Sequence, residues 1–189
     1  HFFLVGTEKI SKHKPKNKPT LLFVGWLEIE KGVRELLQAC KMLEKSSLNF
    51  TCLLAGDVAQ KQWAQKFVNQ HGLEGKVKLK GWVKGDDLVE LYRAADIFVL
   101  PSWEEGMSNS LIEGMSSGLC PVVTNVGIIP DFLCDREHGR LVPPRSVEAL
   151  YEALSTLIKK PDLRAKYAQA AYHLSKQFAA LLPQYKCTL

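Results

Sequence analysis

Two glutamates and a lysine are the residues whose types and spacing could do chemistry. Glu105 and Glu113 have seven residues between them. Glu105 falls in the loop 101–109 (PSWEEGMSN), which leaves an apolar run and enters a helical one. Gly106 would let the backbone come close to a ligand. The amides around Met107, Ser108, Asn109 and Ser110 would face outward at the helix start, where partial positive charge favours a phosphate or sugar oxygen. A rise of 1.5 Å per residue sets the two carboxylates roughly 10 Å apart along a groove, provided the loop does not fold back. So placed, they would accept hydrogen bonds from two different sets of hydroxyls. The same spacing also suits a solvated Glu105 and a Glu113 on an exposed helix face. Lys31, in GWLEIEKG (25–32), stands where a helix is expected to begin. An ammonium beside a helix N-terminus suits a diphosphate and the charge that grows on it as a bond breaks. A plain surface lysine would look the same.

Other chemistries lose support. Residues 114–118 (GMSSG) fit the hydrolase pattern G-x-S-x-G, but that motif needs a strand before it and a helix after it. Here the order is inverted, so Ser116 is not expected to be a nucleophile. The chain has no G-x-G-x-x-G, no Walker A motif and no Asp-x-Asp metal pair. Five cysteines, at 40, 52, 120, 134 and 187, form no C-x-x-C pair. They point to a reducing compartment rather than a disulfide framework. Cys134 and His138 lie four apart, but two ligands without company are poor evidence for zinc.

These residues need a scaffold, and 189 residues supply one. Hydrophobic residues make up 46% and charged residues 24%, which suits a folded domain and excludes a disordered one. No apolar run approaches the ~20 residues of a membrane helix. The net charge is +5, and five lysines between positions 9 and 18 account for it. The body is charge-balanced, so no nucleic-acid partner is indicated. Residues 1–19 read as a lysine-rich lead-in, 20–160 as the binding domain, and 161–189 as its last helix and tail. A His in first position suggests an excised piece.

Apolar runs at 20–24, 50–55, 77–79, 96–100, 121–124 and, more weakly, 139–142 read as strands. Helical periodicity fills 31–43, 59–70, 86–94, 108–117, 146–158 and 161–182. Asp86 or Asp87 is expected to cap the third helix and Ser146 the next-to-last. Pro161 suits the first turn of the last. That helix shows a stripe of Leu163, Tyr167, Ala170, Leu174, Phe178 and Leu181. Fully apolar strands separated by helices predict a doubly wound, Rossmann-like parallel α/β sheet. Its ligands bind at the carboxyl ends of the strands near a topological switch point. That rule selects the loops 25–31, 81–85 and 101–109.

At these loops the chain resembles the C-terminal, donor-binding half of GT-B glycosyltransferases, specifically the large retaining group called family 4. The resemblance rests on FVGWLEIEKG (23–32), GD (56–57), LKGWV (79–83), ADIFVLPSWEEGMSNSLIEGMSSGLCPVV (95–123), VGIIPD (126–131) and HGRLVPP (138–144). It covers about residues 20–160. It implies that Lys31 binds the diphosphate of a UDP- or GDP-linked sugar donor. Glu105 would meet the transferred sugar and Glu113 the ribose. Backbone around Met107, Ser108, Asn109 and Ser110 would touch sugar and phosphate. The loop of Gly81, Trp82 and Val83 would lie beside the base, with Gly25 and Trp26 lining the same site. Lys31 and Glu105 would be the catalytic pair. No metal or other cofactor is implied. The partners implied are a nucleotide sugar and a glycan, lipid or other hydroxyl acceptor held by an N-terminal half. That half is not in this chain, so the fragment is expected to bind donor and transfer nothing alone. A cytoplasmic location is implied, with the inner membrane face as a place for the full-length protein.

The chain also departs from the pattern. Trp26 stands where the family usually has an Arg, Gly114 replaces an Ala, Ile128 replaces a second Gly, and Asp131 replaces a Glu. Two alternatives therefore stay open. One is a degenerate donor-type module kept for binding or assembly. The other is a sugar-nucleotide epimerase on the same sheet.

Overall fold

The computed structural model describes residues 17–56 and 61–181. The lysine-rich stretch 1–16, Cys187 and the tail beyond 181 lie outside those residues. The elements run β1 (Thr20–Val24), α1 (Val33–Lys45), β2 (Thr51–Ala55), α2 (Lys61–Gln70), β3 (Val77–Gly81), α3 (Asp86–Ala94) and β4 (Ile97–Leu100). They continue with α4 (Asn109–Ser116), β5 (Cys120–Thr124), α5 (Ile129–Phe132), β6 (Arg140–Val142), α6 (Val147–Lys159) and α7 (Pro161–Leu181). The six strands pair in the order β3-β2-β1-β4-β5-β6, all parallel. β4 and β5 are buried at every position. A strand covered on both faces has no use for a polar alternation, which is why these segments read as unbroken apolar runs.

Successive β1 side chains serve two cores. Leu21 and Phe23 pack with Leu36, Leu37, Leu150 and Leu154 of α1 and α6. Leu22 packs on the other face with Tyr92, Phe98, Leu111 and Met115, against α3 and α4. Truncating any of these leucines to alanine is expected to cost about 2–5 kcal/mol. At the amino edge of the sheet the Thr20 N–H donates to Asp96 Oδ2 at 2.8 Å, tying β1 to β4.

Three expectations are corrected. Gly85, not Asp86 or Asp87, is the N-cap of α3, and no side chain caps it. The two aspartates occupy the first turn, where they still offset the helix dipole. α1 starts at Val33 after Gly32, so Lys31 sits in the preceding turn rather than on the helix. The buried face of α7 carries Arg164, Tyr167, Ala171 and Ser175, rotated from the expected stripe. The side chains of Phe178 and Leu181 are outside the described set. The guanidinium of Arg164 donates to the Leu157 carbonyl at 2.8 Å. Burial lowers its pKa, while Asp96 nearby opposes that shift. Ser146 does cap α6, accepting the Ala149 N–H. Among the described residues, no helix is long and apolar enough to cross a membrane.

Candidate functional site

The strand order reverses between β1 and β4, so the loops leaving these strands diverge and open a crevice. A cleft of about 620 Å³ lies there. Its lining includes Gly25, Trp26, Lys31, Trp82, Val83, Glu105, Met107, Ser108, Asn109, Ser110 and Glu113. Of the site residues read from the sequence, only Gly81 and Gly106 are not in that lining. Gly81 ends β3 with φ 70°, and its carbonyl accepts the Gly56 N–H at 2.8 Å.

The β4–α4 loop carries most of the polar groups and is held from several sides. Lys31 Nζ donates to Glu105 Oε1 at 2.8 Å, and the Ser102 hydroxyl donates to the same oxygen at 2.8 Å. The Glu105 side chain is 9% exposed and that of Lys31 28%. The Ser102 carbonyl in turn accepts the Thr124 hydroxyl of β5 at 2.6 Å. The Trp103 backbone N–H donates to the Glu30 carbonyl at 2.7 Å, and its indole N–H donates to Glu35 of α1 at 3.1 Å. The Arg145 guanidinium lies 4.2 Å from the centre of the Trp103 ring.

Two glycines let the flanking backbones close on this loop. A Cβ on Gly32 would sit 1.9 Å from the Pro101 carbonyl oxygen, and one on Gly127 would sit 1.7 Å from that of Glu105. Both glycines have positive φ, 69° and 56°, a region that side chains disfavour.

At the start of α4 the Ser108 hydroxyl caps the helix, accepting the Leu111 N–H at 3.4 Å. Among the described residues, the amides of Asn109 and Ser110 have no acceptor. They leave the positive end of the helix dipole facing the cleft. Glu113 Oε2 accepts the Tyr92 hydroxyl at 2.8 Å. Burial, reinforced by the Glu113 charge, raises the Tyr92 phenol far above its ordinary pKa. It therefore stays a proton donor and fixes the carboxylate. Nothing local in the sequence announces Tyr92 as a partner of Glu113, 21 residues away. Gly114 also finds its reason: a Cβ there would lie 2.8 Å from the buried ring of Phe98.

Away from the cleft, Cys134, Glu137 and His138 bring potential metal ligands within 4.8 Å of one another. His138 Nδ1, however, accepts the Cys134 N–H at 3.1 Å. A neutral imidazole so engaged carries its proton on Nε2, which leaves no lone pair there for a metal. Ser116 donates its hydroxyl to the Glu113 carbonyl and is buried, as suits a helix residue rather than a nucleophile.

Comparison with known proteins agrees with this architecture. Residues 6–174 match the family model for glycosyl transferases group 1. The chain is 28% identical over 159 residues to a glycogen synthase of Mycobacterium tuberculosis, covering 84% of this chain and 38% of that protein. The chain thus spans well under half of that relative's length. It superposes with a TM-score of 0.77 and 26% identity on the C-terminal domain of a glycosyl transferase group 1 family protein from Francisella tularensis. That match covers 97% of this chain and 95% of the other. The pneumococcal O-GlcNAc transferase GtfA, solved with UDP and GlcNAc, shares the fold at a TM-score of 0.80 and 21% identity, over 90% of this chain and 35% of that one. The chain belongs to the group 1 glycosyltransferase family and has the Rossmann-like fold of a GT-B C-terminal domain.

Proposed function

We propose that this chain is the donor-binding part of a retaining, metal-independent glycosyltransferase. It would serve transfer of a sugar from a nucleoside diphosphate to a hydroxyl acceptor, a glycan, lipid or other alcohol held by a preceding domain. Residues 20–160 form the donor domain, 1–19 lead into it, and 161–189 complete it. One observation carries the reading: Lys31, Glu105, Glu113 and the start of α4 line a single cleft at the switch point. Each has a task there. Lys31 meets the diphosphate and stabilises the charge that develops on it as the glycosidic bond breaks. The amides of Asn109 and Ser110 add fixed partial charge. Glu105 accepts hydrogen bonds from hydroxyls of the transferred sugar, and Glu113 from those of the ribose. Transfer needs both reactants held together, so this chain alone binds donor without turning it over.

Calorimetric titration with UDP, GDP and ADP in EDTA tests the reading. At least one diphosphate binds, and Lys31→Ala weakens it about ten-fold, the worth of one charge-assisted hydrogen bond. No heat with any of the three up to millimolar concentration refutes it. Trp26 favours a second reading, a degenerate module, because an indole brings no charge to the diphosphate. Binding that appears only in Trp26→Arg would select that reading.

A further inference from the structure

Single exposed apolar side chains are ordinary, but exposed apolar groups gathered into one patch mark a binding surface. Here Trp26 is 52% exposed and Trp82 63% exposed. They come from different loops, after β1 and after β3, yet their ring centres lie 6.1 Å apart at a 45° tilt. Both line the cleft, beside Val24, Ala55, Val83 and Leu88. The cleft therefore has two unlike ends. Over β3, β2 and β1 it is aromatic and apolar; over β1 and β4 it presents Lys31, Glu105, Glu113 and the helix start. A ligand matching both ends has a flat ring system at one end and an anionic, hydroxylated part at the other.

We infer that Trp26 and Trp82 together hold the donor's base by stacking, and that this selects purine over pyrimidine diphosphates. The inference rests on the nucleotide-sugar reading and deepens it. Every base has a π-face, so stacking discriminates by area rather than by edge pattern. Among the described residues, Lys84 is the only charged side chain lining the aromatic side, and an ammonium offers donors alone. With so little side-chain readout of base edges among those residues, overlap with the indoles decides, and a bicyclic base overlaps more than a monocyclic one. Both indoles are more than half exposed, so each leaves ring surface on which a base can lie. Trp26 thus has a task of its own at the place where the family pattern that the chain resembles usually has an Arg.

Titration of the 189-residue chain with GDP, ADP, UDP and CDP, followed by calorimetry and tryptophan fluorescence, tests this. The purine diphosphates bind at least about three-fold more tightly than the pyrimidine ones. Trp82→Ala and Trp26→Ala each weaken purine binding about ten-fold and erase the preference, while Trp82→Phe keeps part of it. Both tryptophans are exposed, and an unchanged circular dichroism spectrum confirms intact variants. Equal affinity for all four with Trp82→Ala behaving as the parent overturns the inference and leaves the nucleotide reading standing. A pyrimidine preference does the same. Fluorescence quenching by free monosaccharides but by no nucleotide reassigns the indoles to a sugar ring and also overturns it. No binding of any nucleotide, with Lys31→Ala silent, removes both readings.

Discussion

The two ends of the cleft are built on opposite principles. On the β4 side the functional side chains are held by other groups: Glu105 holds Lys31 and Ser102, Ser102 holds Thr124, Glu113 holds Tyr92, and Trp103 holds Glu30 and Glu35. On the β3 side Trp26 and Trp82 touch each other and lie open. Groups that must meet developing charge gain from being fixed beforehand, because reorganisation then costs nothing during reaction. A stacking surface gains little from such fixing, since its contact is broad and tolerant of small shifts. In folding stability, the polar end is therefore expected to be fragile to substitution and the aromatic end robust.

The strongest break of that contrast lies in the glycines that admit the β4–α4 loop. Gly32→Ala adds left-handed strain and a clash with a backbone oxygen that cannot swing away. It is expected to destabilise the fold by about 2–5 kcal/mol in urea denaturation. Gly114→Ala is expected to cost about 1–3 kcal/mol in the same measurement, although alanine favours a helix, because the Phe98 ring is fully buried. Adding Phe98→Leu should recover part of that loss, and no recovery would show that the ring is not the obstacle. Tyr92→Phe keeps the ring and removes one donor to a carboxylate. Nucleotide affinity should fall about ten-fold by calorimetry, with thermal stability little altered. The smallest effect belongs to the open end: Trp82→Ala should change folding stability by no more than about 0.5 kcal/mol. A larger loss would place Trp82 in the scaffold.

Sequence made the sheet and the three site loops legible because both rest on local pattern. Unbroken apolar runs mark strands buried on two faces, and the switch-point rule then names the loops. Lys31, Glu105 and Glu113 followed from residue type at those places. What stayed hidden depends on distant pairing. Glu35 is an ordinary first-turn acid until Trp103, 68 positions on, donates to it. Gly127 is an ordinary loop glycine until Glu105 packs against its Cα. Arg164 took the inward place on α7 from the apolar stripe because it satisfies the Leu157 carbonyl. Gly85 displaced the aspartates as a cap because the chain turns there at positive φ.

The Lys31–Glu105 pair has a consequence for how a ligand arrives. Among the described residues, the cleft is lined by two ammonium groups, on Lys31 and Lys84, and by two carboxylates, on Glu105 and Glu113. Such a balance projects little field beyond a Debye length, so a dianion is not drawn in from afar. Encounter rates should then change little between dilute buffer and physiological salt, and the discrimination falls to the dwell time once contact is made.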